Sequence, residues 1–205
     1  MPCSFRPRLR FLLLIPCLAA GLLLAPTGAQ AQLVVTGPPS SPTAATLTAW
    51  FDRHVPARFR GHGPFEVNPL TDPQMEAYLQ SGDSETAEGQ SSHADEGQID
   101  GVFEDGPPRI TLRVAEGEEP DTYTFAHEYG HYVWYDLLTP ADRDRYAAVY
   151  KRQKAAHRLV TRYAQTDAEE GFAEAFSFYV SEPPLLRHRD PASYQFLTQW
   201  AAPAP

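Results

Sequence analysis

The segment TYTFAHEYGHYVW, residues 122–134, contains a His-Glu-x-x-His motif, and the rest of the fold is predicted to form around it. His127 and His131 are four residues apart, so on an α-helix their side chains share one face and can both reach one tetrahedral metal ion. Glu128 lies too far round the helix to be a good ligand, but near enough to take a proton from a water that the metal activates. Apolar residues surround the motif, which predicts a buried helix. Two histidines and a glutamate buried there need a partner, and Zn²⁺ would satisfy them.

Two histidines leave a catalytic zinc ion one protein ligand short. The metzincin arrangement, in which a third histidine completes the site, is excluded. It requires Gly at position 134 and His at position 137, where this chain has Trp134 and Leu137. It also requires a methionine turn, and no methionine follows Met75. The third ligand must therefore come from a different part of the chain.

A carboxylate from a later helix is the alternative. Residues 167–176, DAEEGFAEAF, carry Glu170 and Glu174 one turn apart on one helical face. We therefore expect Glu170 to be the third ligand. Glu174 is expected to accept a hydrogen bond from a zinc-binding imidazole, that of His127. Glu169 is expected to point about 100° away, toward the helix start, where Thr166 and Glu169 would form a capping box.

These motifs together resemble a known family. The His-Glu-x-x-His motif is followed, 39 residues after His131, by Glu-Gly-Phe-Ala-Glu-Ala-Phe at residues 170–176, and Tyr163 precedes Glu170 by seven residues. This pattern resembles the catalytic domain of the anthrax lethal factor and Pro-Pro endopeptidase family of zinc metallopeptidases. The resemblance covers roughly residues 99–200. One departure is Gly171, where the family often has an aromatic residue after its ligand glutamate.

The resemblance implies a role for five residues of the site. It implies that His127, His131 and Glu170 bind zinc and that Glu128 is the general base. It also implies that the phenol of Tyr163 stabilises the tetrahedral oxyanion. Without the resemblance, Tyr163 would be read as a core or boundary residue.

Residues 1–31 are predicted to be a secretory signal peptide. Three arginines precede the apolar run of residues 11–24, and small residues up to Ala31 supply a cleavage site. The run is too short and too interrupted for a membrane span, although an uncleaved anchor is the alternative. Both cysteines, Cys3 and Cys17, lie in this segment, so the mature chain would contain no disulfide. We expect a secreted or periplasmic protein after cleavage near Ala31.

The charge balance narrows the choice of partners. The chain has 17 basic and 26 acidic residues and a net charge of −9. Without the three arginines of the leader, 14 basic residues remain against 26 acidic ones, a net charge of −12. Such acidity disfavours nucleic acid and anionic membrane surfaces as partners of the mature form. It is compatible with a peptide or protein substrate, and it leaves the oligomeric state unknown.

The remaining sequence predicts a flexible arm at residues 32–43 and one domain over residues 44–205. Helices are expected at residues 47–55, 72–80, 139–156, from about 166 to 180 and 190–200, and strands at residues 99–103 and 109–114. A polar, acidic segment at residues 81–98 is expected to be a mobile loop. The second strand directly precedes the motif helix, so it would either hold a substrate along its edge or be an ordinary sheet strand.

These elements predict one α+β domain, a predominantly helical zincin with a small sheet flanking the His-Glu-x-x-His helix. The predicted function is that of a secreted, zinc-dependent metalloendopeptidase, gluzincin-like in its use of a glutamate as third ligand. Two alternatives remain open. One is a non-catalytic secreted binding module that zinc stabilises, which a closed fourth coordination position would favour. The other is a toxin-like effector protease that cleaves a host protein.

Overall fold

A mixed sheet of five strands forms one layer of the fold in the computed structural model, which describes residues 32–36, 42–81, 87–93 and 98–202. The predicted signal peptide, residues 1–31, lies outside the described residues. The strands are β1 (Gln32–Val35), β2 (Pro64–Leu70), β3 (Ala87–His93), β4 (Gln98–Asp105) and β5 (Pro108–Arg113). Their spatial order is β1-β2-β5-β4-β3. Strands β1, β2 and β5 run parallel, whereas β4 is antiparallel to both β5 and β3.

Helices form the rest of the domain. They are α1 (Pro42–His54), α2 (Asp72–Gln80), α3 (Thr122–Tyr132), α4 (Pro140–Ala155), α5 (Ala168–Ser181), α6 (Pro183–Arg189) and α7 (Pro191–Ala201). The predicted fold class is therefore confirmed as α+β, mostly helical with a small sheet. Within the described part of the chain, none of these helices combines the length and the apolar character needed to span a bilayer.

Helix α3, which carries the His-Glu-x-x-His motif, is the central element of the core. Asp121 begins it as the N-cap, because its carboxylate accepts hydrogen bonds from the backbone N–H groups of Tyr123 and Thr124. Every residue from Thr124 to Tyr132 is buried, as the apolar surroundings of the motif predict. The helix then widens into a π-helical turn, Val133–Leu137, closed by a 2.9 Å bond from Leu138 N–H to the Val133 carbonyl.

Helices α3 and α5 pack closely because small residues face each other where they meet. A Cβ placed on Gly130 would lie 2.7 Å from the Cα of Ala173, so the two backbones are nearly in contact at this point. Aromatic rings close the interface on one side, with Tyr129 of α3 packed 6.1 Å from Phe176 of α5. The buried Tyr129 hydroxyl donates a 2.9 Å hydrogen bond to the carbonyl of Phe59. Side chains on α3 and α5 can therefore reach a common point.

Helices α4 and α7 support this pair from below. The Tyr146 ring of α4 lies 5.1 Å from Phe172 and 5.2 Å from Phe196, in edge-to-face geometry. A capping box of Thr139 begins α4, and Asp190 caps α7, so both helix starts follow the prediction. The last helix contacts the motif helices through Phe196, whose ring lies 6.4 Å from that of Phe172 on α5.

Two segments that the sequence predicts to be irregular contain edge strands instead. The predicted flexible arm, residues 32–43, includes β1, which pairs with β2 and buries Leu33. The predicted mobile loop, residues 81–98, includes β3, which pairs with β4. Residues 37–41, 82–86 and 94–97 lie outside the described residues. The predictions were wrong over these strands because backbone hydrogen bonds to one neighbour hold an edge strand, which needs little apolar periodicity.

The sheet decides whether strand β5 could hold a substrate along its edge or is an ordinary sheet strand. It pairs with β2 on one side and with β4 on the other. Its backbone donors and acceptors are therefore used within the sheet, which leaves no edge to bind an extended peptide. The interpretation as an ordinary sheet strand is confirmed, and β1 and β3 are the strands at the two ends of the sheet order.

Gly130→Ala tests the close contact between α3 and α5. Alanine in place of an exposed helical glycine adds about 1 kcal/mol of stability. Here the new Cβ would meet the Ala173 backbone, which cannot move aside as a flexible side chain could, and overpacking costs about 1–3 kcal/mol. We expect a lower free energy of unfolding in urea denaturation. Gly106→Ala is the control, because no atom lies within 4 Å of its Cβ position. A more stable Gly130→Ala variant would contradict the contact.

Candidate metal centre

Three side chains from α3 and α5 converge on one point. The Nε2 atoms of His127 and His131 lie 3.2 Å apart. The Oε2 atom of Glu170 lies 3.1 Å from Nε2 of His127 and 3.6 Å from Nε2 of His131. Both imidazoles are fully buried, and the Glu170 side chain is 12 % exposed. The structure therefore brings together the three residues that the sequence predicts as ligands, and this group could hold a metal ion.

The donor atoms suit a tetrahedral ion. Bonds of about 2.0–2.1 Å at tetrahedral angles place ligand atoms about 3.3 Å apart, close to the 3.1, 3.2 and 3.6 Å found here. Oε2 of Glu170 is buried and makes no hydrogen bond with any described residue. When Nδ1 of each imidazole carries the proton, its Nε2 is an acceptor, so three acceptors face one another. A cation between them would satisfy all three, and two nitrogens and one oxygen are ligands typical of zinc.

Glu174 holds the imidazole of His127 from the side away from this point. Its Oε1 atom lies 2.9 Å from Nδ1 of His127, the contact that the sequence analysis expected. The carboxylate is itself fixed by two hydroxyl groups. Tyr123 donates to it at 2.9 Å, and Thr161 donates to its Oε2 atom at 2.5 Å. A carboxylate in this place directs the proton of a neutral imidazole to Nδ1, so that Nε2 would have its lone pair available for a metal ion.

Glu169 occupies the corresponding position beside His131, a contact that the sequence did not predict. Its Oε1 atom lies 3.0 Å from Nδ1 of His131, and its Oε2 atom accepts a 2.5 Å hydrogen bond from the hydroxyl of Tyr135. The expectation that Glu169 points to the cap was wrong, because Asp167 and not Thr166 is the N-cap of α5. The backbone N–H groups of residues 169 and 170 donate to Asp167, so the Glu169 side chain is free to turn to α3.

The electrostatics of the site favour a positive charge. Burial lowers the pKa of both imidazoles, but the neighbouring carboxylates outweigh burial and raise the pKa of each above its ordinary value. Burial likewise raises the pKa of Glu170, yet the two imidazoles lower it to about 2. Four carboxylates lie around the two imidazoles, those of Glu128, Glu169, Glu170 and Glu174. This excess of negative charge would be balanced by a divalent cation.

Glu128, the predicted proton acceptor, is completely buried between α3 and the sheet. Strand β4 approaches it through Gly101. A Cβ at residue 101 would lie 2.6 Å from Oε1 of Glu128 and 2.8 Å from Cγ2 of Thr124. Because residue 101 has no side chain, the Glu128 carboxylate can occupy this space. An isolated glycine inside a predicted strand is a known sign of close backbone approach, so this contact had a signal in the sequence.

Tyr163 lies at the edge of the same site. It begins a single 3₁₀ turn, Tyr163–Gln165, and its ring centroid is 5.8 Å from that of His127. Burial raises the pKa of its phenol well above the ordinary value, and the negative charges of Glu170 and Glu128 raise it further. The phenol therefore stays protonated near neutral pH and can donate a hydrogen bond.

Comparison with known proteins supports the fold. No family model matches the sequence, and no curated protein matches it. Among solved structures, the chain is similar to the Pro-Pro endopeptidase PPEP-2 from Paenibacillus alvei, with a TM-score of 0.51 and 14 % sequence identity. The match covers 82 % of this chain and 96 % of the other. The chain therefore has a peptidase-like fold, as the resemblance implied, whereas the comparison does not support membership of the lethal factor family.

Glu170→Gln tests whether the carboxylate is a metal ligand. The variant keeps the size of the side chain but removes its charge. We expect the dissociation constant for Zn²⁺ to rise by more than about 100-fold, because loss of a group that merely orients a ligand already costs about 10–100-fold. Competition with a chromophoric chelator measures this constant. Glu118→Gln, on an exposed loop, is the control. Unchanged zinc affinity in Glu170→Gln would show that the wrong carboxylate was chosen.

Proposed function

We propose that this protein is a zinc-dependent metalloendopeptidase. The single observation that carries the proposal is the convergence of His127, His131 and Glu170 on one point, with the buried Glu128 carboxylate beside the first imidazole on the same helix. The peptidase-like fold is a second, independent support. We take the three converging residues as zinc ligands, an arrangement with a glutamate as third ligand that is gluzincin-like.

Glu128 is the general base in this proposal. A bound zinc ion would act as a Lewis acid, activating a water molecule and polarising the scissile carbonyl. Glu128 accepts the proton of that water as it attacks and then passes the proton to the leaving amine. Its position at the second residue of the motif keeps its carboxylate off the metal while leaving it close to both imidazoles.

Tyr163 and Glu174 have different roles in this proposal. The Tyr163 phenol, protonated because burial and nearby carboxylates raise its pKa, donates a hydrogen bond to the oxyanion that forms on the substrate carbonyl. Glu174 holds His127 through Nδ1 and does not touch the substrate. Tyr163 is therefore proposed as a catalytic residue and Glu174 as a positioning residue.

The proposed substrate is a peptide or protein, and the proposed location is outside the cytoplasm. Cleavage of the leader near Ala31 would release a secreted or periplasmic chain with an excess of acidic residues. PPEP-2 is named for cleavage at Pro-Pro. For this chain we propose the class of substrate and leave the residues at the cleaved bond to be measured.

A peptide library tests the proposal. Purified, zinc-loaded protein is incubated with the library, and mass spectrometry identifies the cleaved bonds. We expect a defined set of products that disappears when a chelator removes the metal and returns when Zn²⁺ is added. A protein that binds one zinc ion tightly but cleaves no peptide or protein would overturn the proposal. It would instead support the non-catalytic, zinc-stabilised binding module.

Glu128→Gln separates the proton-transfer role from metal binding. The variant keeps the shape of the side chain but cannot accept a proton. We expect kcat/KM to fall by about 10²–10⁴-fold, the usual contribution of general acid–base catalysis. The dissociation constant for Zn²⁺ should stay within about threefold of the original, because Glu128 is not a ligand in this proposal. Near-normal turnover by this variant would refute the assignment of the base.

Gly101→Ala tests whether the space beside Glu128 is needed. The new Cβ would meet Oε1 of Glu128 at 2.6 Å, so the carboxylate must move away from its place. We expect kcat to fall by about 10-fold or more, since small misplacements of reacting groups are costly, with zinc stoichiometry unchanged. The matched control is Gly106→Ala, in the turn that follows the same strand, where the added methyl group has open space. Equal kcat values for the two variants would contradict the role of this contact.

A further inference from the structure

His131 is held by a chain of two side chains that the proposed reaction does not use. Its Nδ1 atom lies 3.0 Å from Oε1 of Glu169, and Oε2 of Glu169 accepts a 2.5 Å hydrogen bond from the hydroxyl of Tyr135. A hydroxyl group that donates to a carboxylate at this distance makes a short, charge-assisted hydrogen bond. The three groups run in the order imidazole, carboxylate, phenol, from α3 to α5 and back to the π-helical turn that follows α3.

The end of α3 places the Tyr135 phenol where Glu169 needs it. Tyr135 follows His131 by four residues and lies in the middle of the π-helical turn Val133–Leu137. The ring is also stacked on Phe103 of β4, with centroids 6.2 Å apart and planes 12° from parallel. Turns of this kind within α-helices occur often at functional sites. Backbone and ring packing together fix the direction of the hydroxyl group.

The carboxylates beside the two histidines differ in exposure and in the number of hydroxyl groups that hold them. The Glu174 side chain beside His127 is 4 % exposed and has hydroxyl donors from Tyr123 and Thr161. The Glu169 side chain is 24 % exposed, and Tyr135 is its only hydroxyl donor among the described residues. A carboxylate open to water has several positions available to it. The phenol restricts Glu169 to the position in which it accepts from His131.

We propose that Glu169 and Tyr135 are a positioning pair that fixes the ring orientation and tautomer of His131 for metal binding. The proposal rests on the metal-binding part of the proposed function and not on peptide hydrolysis. With Nδ1–H directed to Glu169, the Nε2 lone pair of His131 points to Nε2 of His127 and to Glu170. Without the pair, the imidazole must be ordered when the metal binds, and this lowers affinity.

The test compares three single variants, and the double variant Glu169→Gln/Tyr135→Phe, by zinc affinity and by the visible spectrum of the Co²⁺-substituted protein. Glu169→Gln removes the charge beside His131, and Tyr135→Phe removes the hydroxyl but keeps the stacked ring. Tyr129→Phe is the control, because it removes a buried tyrosine hydrogen bond from the same helix without touching the site. Circular dichroism and thermal unfolding report whether each variant folds. None of these measurements requires peptidase activity.

We expect Glu169→Gln to raise the dissociation constant for Zn²⁺ by about 10–100-fold, and Tyr135→Phe to raise it by a smaller factor. The double variant should lose less than the product of the two single effects, because both act through one contact. Glu169→Gln and Tyr135→Phe should each alter the visible spectrum of the Co²⁺-substituted protein. Tyr129→Phe should lower the melting temperature yet keep the original affinity and spectrum. Glu169→Gln and Tyr135→Phe proteins that match Tyr129→Phe in affinity and spectrum would overturn the proposal. A tight-binding, inactive protein would refute only the peptidase function.

Discussion

The close contact of α3 with α5 determines where the side chains of the candidate metal centre lie. The two imidazoles come from one helix and the third group, the Glu170 carboxylate, from another, 39 residues further along the chain. Their convergence requires the helix axes to lie nearer than large side chains allow, and Gly130 against Ala173 supplies that distance. The aromatic rings of α4 and α7 hold α5 in place from the other side. The buried core thus serves mainly to keep two helices in register.

The packing of the two helices buries several charged side chains, at an electrostatic cost that a metal ion would offset. Several carboxylates and two imidazoles share a space from which water is largely excluded, and isolated charges of this kind are expensive to bury. Each imidazole is nevertheless oriented by a glutamate of α5, and each glutamate by a tyrosine, Tyr123 of α3 on one side and Tyr135 of the π-helical turn on the other. These hydrogen bonds direct the lone pairs inward. A cation that binds there in the folded chain and not in the unfolded one would stabilise the fold, and more so the more tightly it binds.

The sequence predicted the parts of this arrangement that follow from helical periodicity. A spacing of four residues placed His127 with His131 and Glu170 with Glu174, and the structure brings all four together. It could not predict the direction of Glu169, because a side chain in the first helical turn depends on which residue is the cap. The edge strands β1 and β3 lacked apolar periodicity for a physical reason, since backbone pairing to one neighbour holds them. Gly171 stands where the family that the motifs resemble often has an aromatic residue. The reason lies outside its own helix, because the ring of Tyr150 from α4 fills the space there.

X-ray diffraction from crystals of the zinc-loaded protein, with data collected on both sides of the zinc absorption edge, would show which residues bind the metal. We expect one strong anomalous peak, about 2.0–2.1 Å from Nε2 of His127, from Nε2 of His131 and from a carboxylate oxygen of Glu170. A peak bound by other residues would contradict it. So would zinc-loaded crystals in which the Glu170 carboxylate lies far from the two imidazoles.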